Sequence, residues 1–145
     1  MKKYEFTGET KLWCGRTLHR IRALIAFAYV SAGELGGWIE KEGNLAQSGD
    51  AWVSGDARVS GNACVSKTTH YLVIGAIGSR NDSTTFFRTK ANEIFVRCGC
   101  FEGNIEAFVE KVKATHGDSK HSKVYLLASE IAKIQLEDVE VPNDL

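Results

Sequence analysis

Three consecutive hexapeptides in the middle of the chain repeat one pattern: GDAWVS at residues 49–54, GDARVS at 55–60 and GNACVS at 61–66. A weaker copy, GNLAQS, precedes them in phase at residues 43–48, and Gly37 opens one more hexapeptide. Glycine followed by Asp or Asn favours a turn every six residues. The alanine and valine of each copy are two positions apart, so they share one face of a strand. The pattern therefore predicts short strands with a narrow, stackable apolar face.

These copies resemble the hexapeptide-repeat family, whose fold is a left-handed parallel β-helix with about three hexapeptides per coil. The resemblance implies a short left-handed β-helix over residues 37–66. The alternative is a glycine-rich hairpin that repeats by chance. The familiar activity of this fold is acyl transfer, which uses a histidine between neighbouring coils. Because no histidine lies between Gly37 and Ser66, we expect a protein that is not an enzyme.

The repeated segment is too short to enclose a solenoid core by itself, since roughly three repeat units are normally needed. The missing burial must come from flanking segments or from other copies of the chain. The resemblance implies a homo-oligomer, either a trimer or a multiple of it. Trp52 and Arg58 alternate with the inward residues, so they are candidates for the oligomer interface. The alternative is that the N-terminal segment covers Trp52.

The flanking sequence predicts a mainly β protein with an α+β C-terminal part. Alternation and turn residues divide the chain into an N-terminal β cap at residues 1–36, the β-helix at 37–66, a linker with a short strand at 67–83 and a ββαα module at 84–145. In that module, Asn104 is the N-cap candidate of one helix, and a second helix starts near Ser119. Residues 138–145 form an acidic, loose tail.

Two strands of the C-terminal module carry aromatic and basic residues at alternating positions. Phe86 with Arg88, and Phe95 with Arg97, lie opposite the predicted core faces of their strands. We therefore expect these four side chains to share one surface. An aromatic ring stacks on a base, and a guanidinium binds phosphate bidentately, so the pattern predicts a nucleotide site. The alternative is that this face packs on the β-helix and the arginines form ordinary salt bridges.

The junction between the two predicted helices is a second place for a phosphate. It gathers His116, Lys120 and His121 beside a helix N-terminus, which attracts anions. The alternative is a solvated helix junction. The two histidines with Cys98 and Cys100 would also supply four zinc ligands, but their spacing fits no structural zinc site. We therefore expect no metal and no cofactor.

Composition bears on the partners and the compartment. The 145 residues include 18 basic and 18 acidic ones, a balance that disfavours duplex nucleic acid as a partner. The longest apolar run, Ala23 to Val30, is too short to span a membrane, and no apolar region typical of a signal peptide follows Met1. We expect a cytoplasmic protein whose cysteines are reduced thiols.

Further motifs are similar to small proteins encoded by phages and prophages of Gram-positive gut bacteria: KYEFTGET at 3–10, GGWIE at 36–40, TFFR at 85–88 and CGCF at 98–101. Small phage oligomers include sponges that sequester nucleotide immune signals such as cyclic ADP-ribose species. The resemblance implies a non-enzymatic binding protein that counters bacterial defence in the host cell cytoplasm. Two alternatives stay open: a protein–protein inhibitor or adaptor of a host protein, and an acyltransferase-like hexapeptide enzyme.

Overall fold

The computed structural model describes residues 2–137, which form two four-stranded sheets followed by two helices. The first sheet has the strand order β1-β2-β3-β4, and the second has the order β5-β6-β7-β8. The elements are β1 Tyr4–Trp13, β2 Arg16–Ala23, β3 Leu35–Ile39, β4 Arg58–Val59, β5 Tyr71–Ile77, β6 Asp82–Arg88, β7 Ile94–Cys98, β8 Phe101–Asn104, α1 Ile105–His116 and α2 Lys120–Gln135. The acidic tail predicted at 138–145 lies outside the described residues.

The predicted left-handed β-helix is wrong. Across the four clear copies at residues 43–66, the one strand is β4, and it is two residues long. It pairs in parallel with β3, while β1, β2 and β3 pair antiparallel. An isolated parallel bridge joins Leu45 to Val65. The fold is therefore two sheets rich in antiparallel pairs, and the resemblance to hexapeptide repeats does not extend to stacked coils.

The physical content of the repeat is nevertheless visible in the first sheet. The glycines at 49, 55 and 61 have positive φ angles and make turns, and the repeated alanines and valines are buried. Their core is closed by Tyr4 and Ile21 of the β1–β2 hairpin and by Phe87 of the second sheet. The missing burial is supplied by the rest of the same chain, so the repeats need no further coil.

Close approach between β3 and the repeats requires glycine. A Cβ atom at Gly36 would lie 2.6 Å from the Trp52 ring and 2.8 Å from the Val53 carbonyl oxygen. One at Gly37 would lie 2.8 Å from the Ala57 carbonyl oxygen. Backbone N–H groups of this strand donate to those same carbonyls, from Gly37 to Val53 and from Trp38 to Ala57. The motif at 36–40 is thus explained by packing.

The second sheet is antiparallel throughout, and the two helices cover one of its faces. Residues 71–77, which the sequence assigns to a linker with a short strand, form its seven-residue strand β5. Asn104 caps α1, as predicted, by accepting the Ala107 N–H at 2.8 Å. Ser119 caps α2 by accepting the Ser122 N–H at 3.3 Å.

A disulfide joins the tip of the β1–β2 hairpin to the turn between β7 and β8. It links Cys14 to Cys100, so the expectation that all cysteines are reduced thiols is wrong for these two. Cys64 and Cys98 are free thiols. Beside the disulfide, the Trp13 indole N–H donates to the Gly99 carbonyl at 2.9 Å. The two sheets are therefore held together covalently and by hydrogen bonds at these tips.

Among residues 2–137, neither helix combines the length and the apolar character needed to cross a bilayer.

Candidate functional site

The four residues predicted to form a nucleotide site lie on opposite faces of the second sheet. In the observed register, Phe87 is directly opposite Phe95, and Phe86 is opposite Val96. Directly opposed side chains share a face, so Phe95 and Phe86 point in opposite directions. Phe86 packs on Phe108 under the helices, whereas Phe95 packs against the core of the first sheet. The prediction of one shared surface is wrong.

The two arginines of that prediction are separated in the same way. Arg88 follows Phe86 on the helix face, is buried, and donates to the Asn92 carbonyl at 3.5 Å. Arg97 lies on the other face and is 3% exposed at its side chain. It donates to Glu102 at 2.9 Å and to the Trp13 carbonyl at 3.0 Å. Both guanidiniums are therefore engaged within the chain.

Arg97 belongs to a network of charges between the two sheets. Arg16, at the start of β2, donates to Glu40 at 2.8 Å and to Glu102 at 2.7 Å. Burial lowers the pKa of Arg97, and Arg16 and Arg58 lower it further, although Glu102 opposes the shift. The network links the first sheet to β7 and β8. The charges of Arg16 and Arg97 are offset by the carboxylates of Glu40 and Glu102.

A cleft of about 640 Å³ opens on this network. Besides Arg16, Glu40 and Glu102, it is lined by Lys41, Asn62 and Phe95. Its two carboxylates and Arg16 are already paired with each other. Because a ligand would have to displace these ion pairs, the cleft is better described as a structural junction than as an anion site.

Stability should fall at low pH as the Glu40 carboxylate is protonated. Burial raises the pKa of Glu40, but hydrogen bonds from the Gly61 N–H and Arg16 outweigh it and hold the pKa below its ordinary value of 4.5. A lowered folded-state pKa contributes stability above the unfolded-state value, and that contribution is lost as the pH falls through the folded-state pKa. We expect the urea midpoint to fall between about pH 5 and pH 3. Glu40→Gln should flatten that part of the profile, and an unchanged slope would contradict the assignment.

The predicted oligomer interface is not on the surface. Trp52 is 6% exposed and packs on Phe27 and Tyr4, with ring centroids 5.4 and 6.5 Å away. The Arg58 guanidinium lies 4.0 Å above the Trp13 ring and 3.8 Å from Asp82. The alternative that the N-terminal segment covers Trp52 is confirmed, and both residues serve contacts within the chain.

A second cavity, of about 300 Å³, lies between the helices and one end of the second sheet. We call it the helix–sheet cavity. Its apolar lining includes three aromatic side chains: Phe101 from β8, Phe108 from α1 and Tyr125 from α2. Neighbouring ring centroids are 5.6 Å apart for Phe101 and Phe108, and 5.7 Å apart for Phe108 and Tyr125. The cavity therefore has a continuous aromatic wall.

Basic groups line the same cavity. Arg80 comes from the turn between β5 and β6, and Lys111 and His116 come from α1. The His116 ring lies 5.7 Å from the Tyr125 ring, so it extends the aromatic wall to the rim. None of the described residues that line the cavity is Asp or Glu. Its electrostatic character is therefore cationic at neutral pH.

Tyr125 is held in place by its neighbours. A Cβ atom at Gly78, which has a φ of +76°, would overlap the Tyr125 hydroxyl group. Cys98 and Ser79 lie beside that hydroxyl. Burial and the adjacent Cys98 raise the pKa of Tyr125 above its ordinary value, so the hydroxyl stays protonated at neutral pH.

The predicted site at the helix junction is brought together in part. His116 and His121 have ring centroids 5.9 Å apart, but His116 is the one that lines the helix–sheet cavity. Lys120 is exposed and does not line it. The alternative zinc set is not available as four ligands, because the Cys100 sulfur is bound to Cys14. Across residues 2–137, no group of three or more His, Cys, Asp or Glu side chains is placed to hold a metal ion.

Sequence reasoning missed most of the cavity. The helical period places Phe108 and Lys111 near one another on α1, but nothing in the sequence connects them to Arg80 or Phe101. Comparison with known proteins adds no identification: no protein-family description matches the chain, and no curated protein does. The phage origin stays a prediction from the sequence.

Proposed function

We propose that this chain is a non-enzymatic binding protein for a small phosphate-bearing ligand with an aromatic base, held in the helix–sheet cavity. The observation that carries the proposal is the combination of an aromatic wall with Arg80, Lys111 and His116, in a cavity whose described lining has no carboxylate. Base stacking on aromatic side chains and charge-assisted hydrogen bonds to phosphate are the interactions that such a ligand uses.

The available cations support phosphate as the charged group of the ligand. Within residues 2–137, Arg80 and Lys111 form no ion pair, in contrast to Arg97 and Arg16. Both side chains are exposed, so binding an anion requires no existing salt bridge to break. Arginine suits bidentate contact with phosphate, and lysine adds a mobile positive charge.

The volume favours a mononucleotide over a larger signal. About 300 Å³ is at the lower end of the range for ligand cavities. A single base with one phosphate group fits this range better than a dinucleotide. We therefore propose that each chain sequesters one mononucleotide and leaves it chemically unchanged.

Isothermal titration calorimetry with AMP, GMP, adenosine and inorganic phosphate tests the proposal. We expect AMP or GMP to bind, and adenosine and phosphate alone to bind more weakly. Loss of one charge-assisted contact costs about 1.5–3 kcal/mol, so Arg80→Ala and Lys111→Ala should each weaken binding by at least roughly tenfold.

Lys120→Ala is the matched control, because Lys120 is an exposed lysine near the helix junction that does not line the cavity. It should change the affinity by less than about twofold. The nucleotide should be recovered unchanged from the complex. Absence of binding across the panel, equal losses for Lys120→Ala and Lys111→Ala, or conversion of the nucleotide would each overturn the proposal.

A second candidate function is self-association through α2. Leu127, Ile131 and Ile134 are 66%, 53% and 74% exposed, although large apolar residues are usually buried. Their spacings of four and three residues are those of a helix–helix seam. A two-fold dimer pairs such a stripe with itself. The expectation of a trimer came from the predicted β-helix, and residues 37–66 do not form that β-helix in the structure.

Sedimentation velocity tests this candidate. A dimer should sediment with twice the 15.9 kDa mass of the chain. Ile131→Lys places a charge in the centre of the stripe and should return the protein to a monomer. The control is Lys120→Ala, which changes an exposed residue of the same helix outside the stripe and should leave the dimer intact. If the wild type sediments as a monomer at a concentration of about 100 μM, self-association through α2 is excluded.

A further inference from the structure

A free thiol and a disulfide sulfur lie on the same turn of the second sheet. Cys98 ends β7, and Cys100 follows two residues later, just before β8. Both residues line the helix–sheet cavity, whereas Cys14, the disulfide partner of Cys100, does not. The free thiol and the Cys100 sulfur therefore belong to residues that border the same cavity.

Polar groups from three other parts of the chain surround this turn. The Cys98 sulfur accepts a hydrogen bond from the Thr84 hydroxyl at 3.5 Å, and Tyr125 also contacts it. A Cβ atom at Gly99 would lie 3.1 Å from the Arg80 guanidinium, so this cation lies against the turn. The thiolate is the form of a cysteine that attacks disulfides, so exchange with a disulfide proceeds from the deprotonated fraction of Cys98.

We propose that Cys98 carries out thiol–disulfide exchange with the Cys14–Cys100 disulfide. The Cys98 thiol loses its proton, and the thiolate attacks the Cys100 sulfur. The Cys98–Cys100 bond forms as the Cys14–Cys100 bond breaks, and Cys14 leaves as a thiolate that takes up a proton. One disulfide replaces another, so the step needs no oxidant or reductant.

Exchange would remove the covalent link between the two sheets. Cys14 sits at the tip of the β1–β2 hairpin, and after exchange that tip is held by non-covalent contacts such as the Trp13–Gly99 hydrogen bond. The new disulfide would lie in the wall of the helix–sheet cavity. This activity does not depend on the proposed ligand, because the exchange involves the chain's own three cysteines alone.

Alkylation followed by peptide mapping tests the exchange in the full-length protein. The oxidised wild type is incubated with iodoacetamide at pH 8 without reductant, and the labelled cysteines and remaining disulfides are identified by mass spectrometry. We expect alkylated Cys14 together with a Cys98–Cys100 disulfide, and at least roughly tenfold less Cys14 labelling in Cys98→Ser. Cys64→Ser, which removes the other free thiol, should behave like the wild type. Equal Cys14 labelling in Cys98→Ser, or none in the wild type, would overturn the proposal.

The product state has a test of its own in Cys14→Ser. With Cys14 absent, treatment with oxidised glutathione should pair Cys98 with Cys100 and leave Cys64 as the single alkylatable thiol. If Cys98 and Cys100 both remain alkylatable or carry separate glutathiones, the two sulfurs do not meet and the exchange is refuted. Nucleotide titration of the same variant separates this result from the proposed ligand site.

Discussion

Removal of the Cys14–Cys100 disulfide should lower the free energy of unfolding by about 4 to 5 kcal/mol, because it closes a loop between residues 86 positions apart. Without the bond, the unfolded chain regains the entropy that this loop closure removes. Urea unfolding of Cys14→Ser, compared with the wild type with and without dithiothreitol, measures the effect. Reduced wild type and Cys14→Ser should coincide.

Cys64→Ser provides the control for this prediction, because Cys64 is a half-buried free thiol outside the disulfide. Its midpoint should stay close to that of the oxidised wild type. A Cys98–Cys100 bond formed in Cys14→Ser does not join the hairpin tips, so it should not restore the lost stability. A Cys14→Ser variant as stable as the oxidised wild type would show that the link contributes little.

Glu102→Gln should destabilise the protein by about 3 kcal/mol, since it leaves the buried Arg97 guanidinium without its carboxylate. The same substitution also removes one of the two carboxylates bound to Arg16. Chemical denaturation monitored by tryptophan fluorescence measures the loss. Glu93→Gln, at an exposed loop position, should have little effect.

The double variant Arg97→Met with Glu102→Leu separates the cost of an unpaired charge from the value of the pair. Replacing both partners of a buried ion pair by apolar residues is often close to neutral. We expect the double variant to be more stable than Glu102→Gln alone. If the double variant is less stable than Glu102→Gln, the ion pair itself contributes net stability. If Glu102→Gln is as stable as the wild type, the hydrogen bonds from Arg97 to Ser60 and to the Trp13 carbonyl are sufficient for the buried guanidinium.

The repeats show how far a local pattern predicts the fold. Spacing identified the buried alanines and valines and the turns, because these depend on residues within one hexapeptide, but it placed Trp52 on the surface and Trp52 is buried. It did not identify what covers them, because Tyr4, Ile21 and Phe87 come from distant parts of the chain. A narrow apolar face can be closed by a second coil or by an antiparallel hairpin, and the hexapeptides themselves do not distinguish these two cases.

The nucleotide site was misplaced by strand register. Alternation correctly separates the two faces of each strand, but it does not say which face of β6 adjoins which face of β7. A one-residue shift in pairing exchanges the faces. In the observed register Phe87 pairs with Phe95, so Phe95 shares a face with Phe87 and not with Phe86. Arg80, which no local motif marks, reaches the candidate site only because the β5–β6 turn meets the end of α1.

The disulfide was missed for a similar reason. Cys14 and Cys100 lie in separate hairpin turns, and the lack of a membrane-spanning apolar run or a signal-peptide pattern favoured reduced thiols. Pairing across 86 positions depends on how the two sheets pack, which no spacing between cysteines reveals. By contrast, the two helix caps at Asn104 and Ser119 are local signals, and the helices start as the sequence predicts.

Mapping of amide chemical shifts during titration with AMP tests the central claim most directly. The largest changes should cluster at residues 79–80, 98–101 and 108–116 and at Tyr125, which surround the helix–sheet cavity. Changes concentrated around Arg16, Glu40 and Asn62 would place the ligand in the inter-sheet cleft instead. That result, or a spectrum unaltered by saturating nucleotide, would contradict the account.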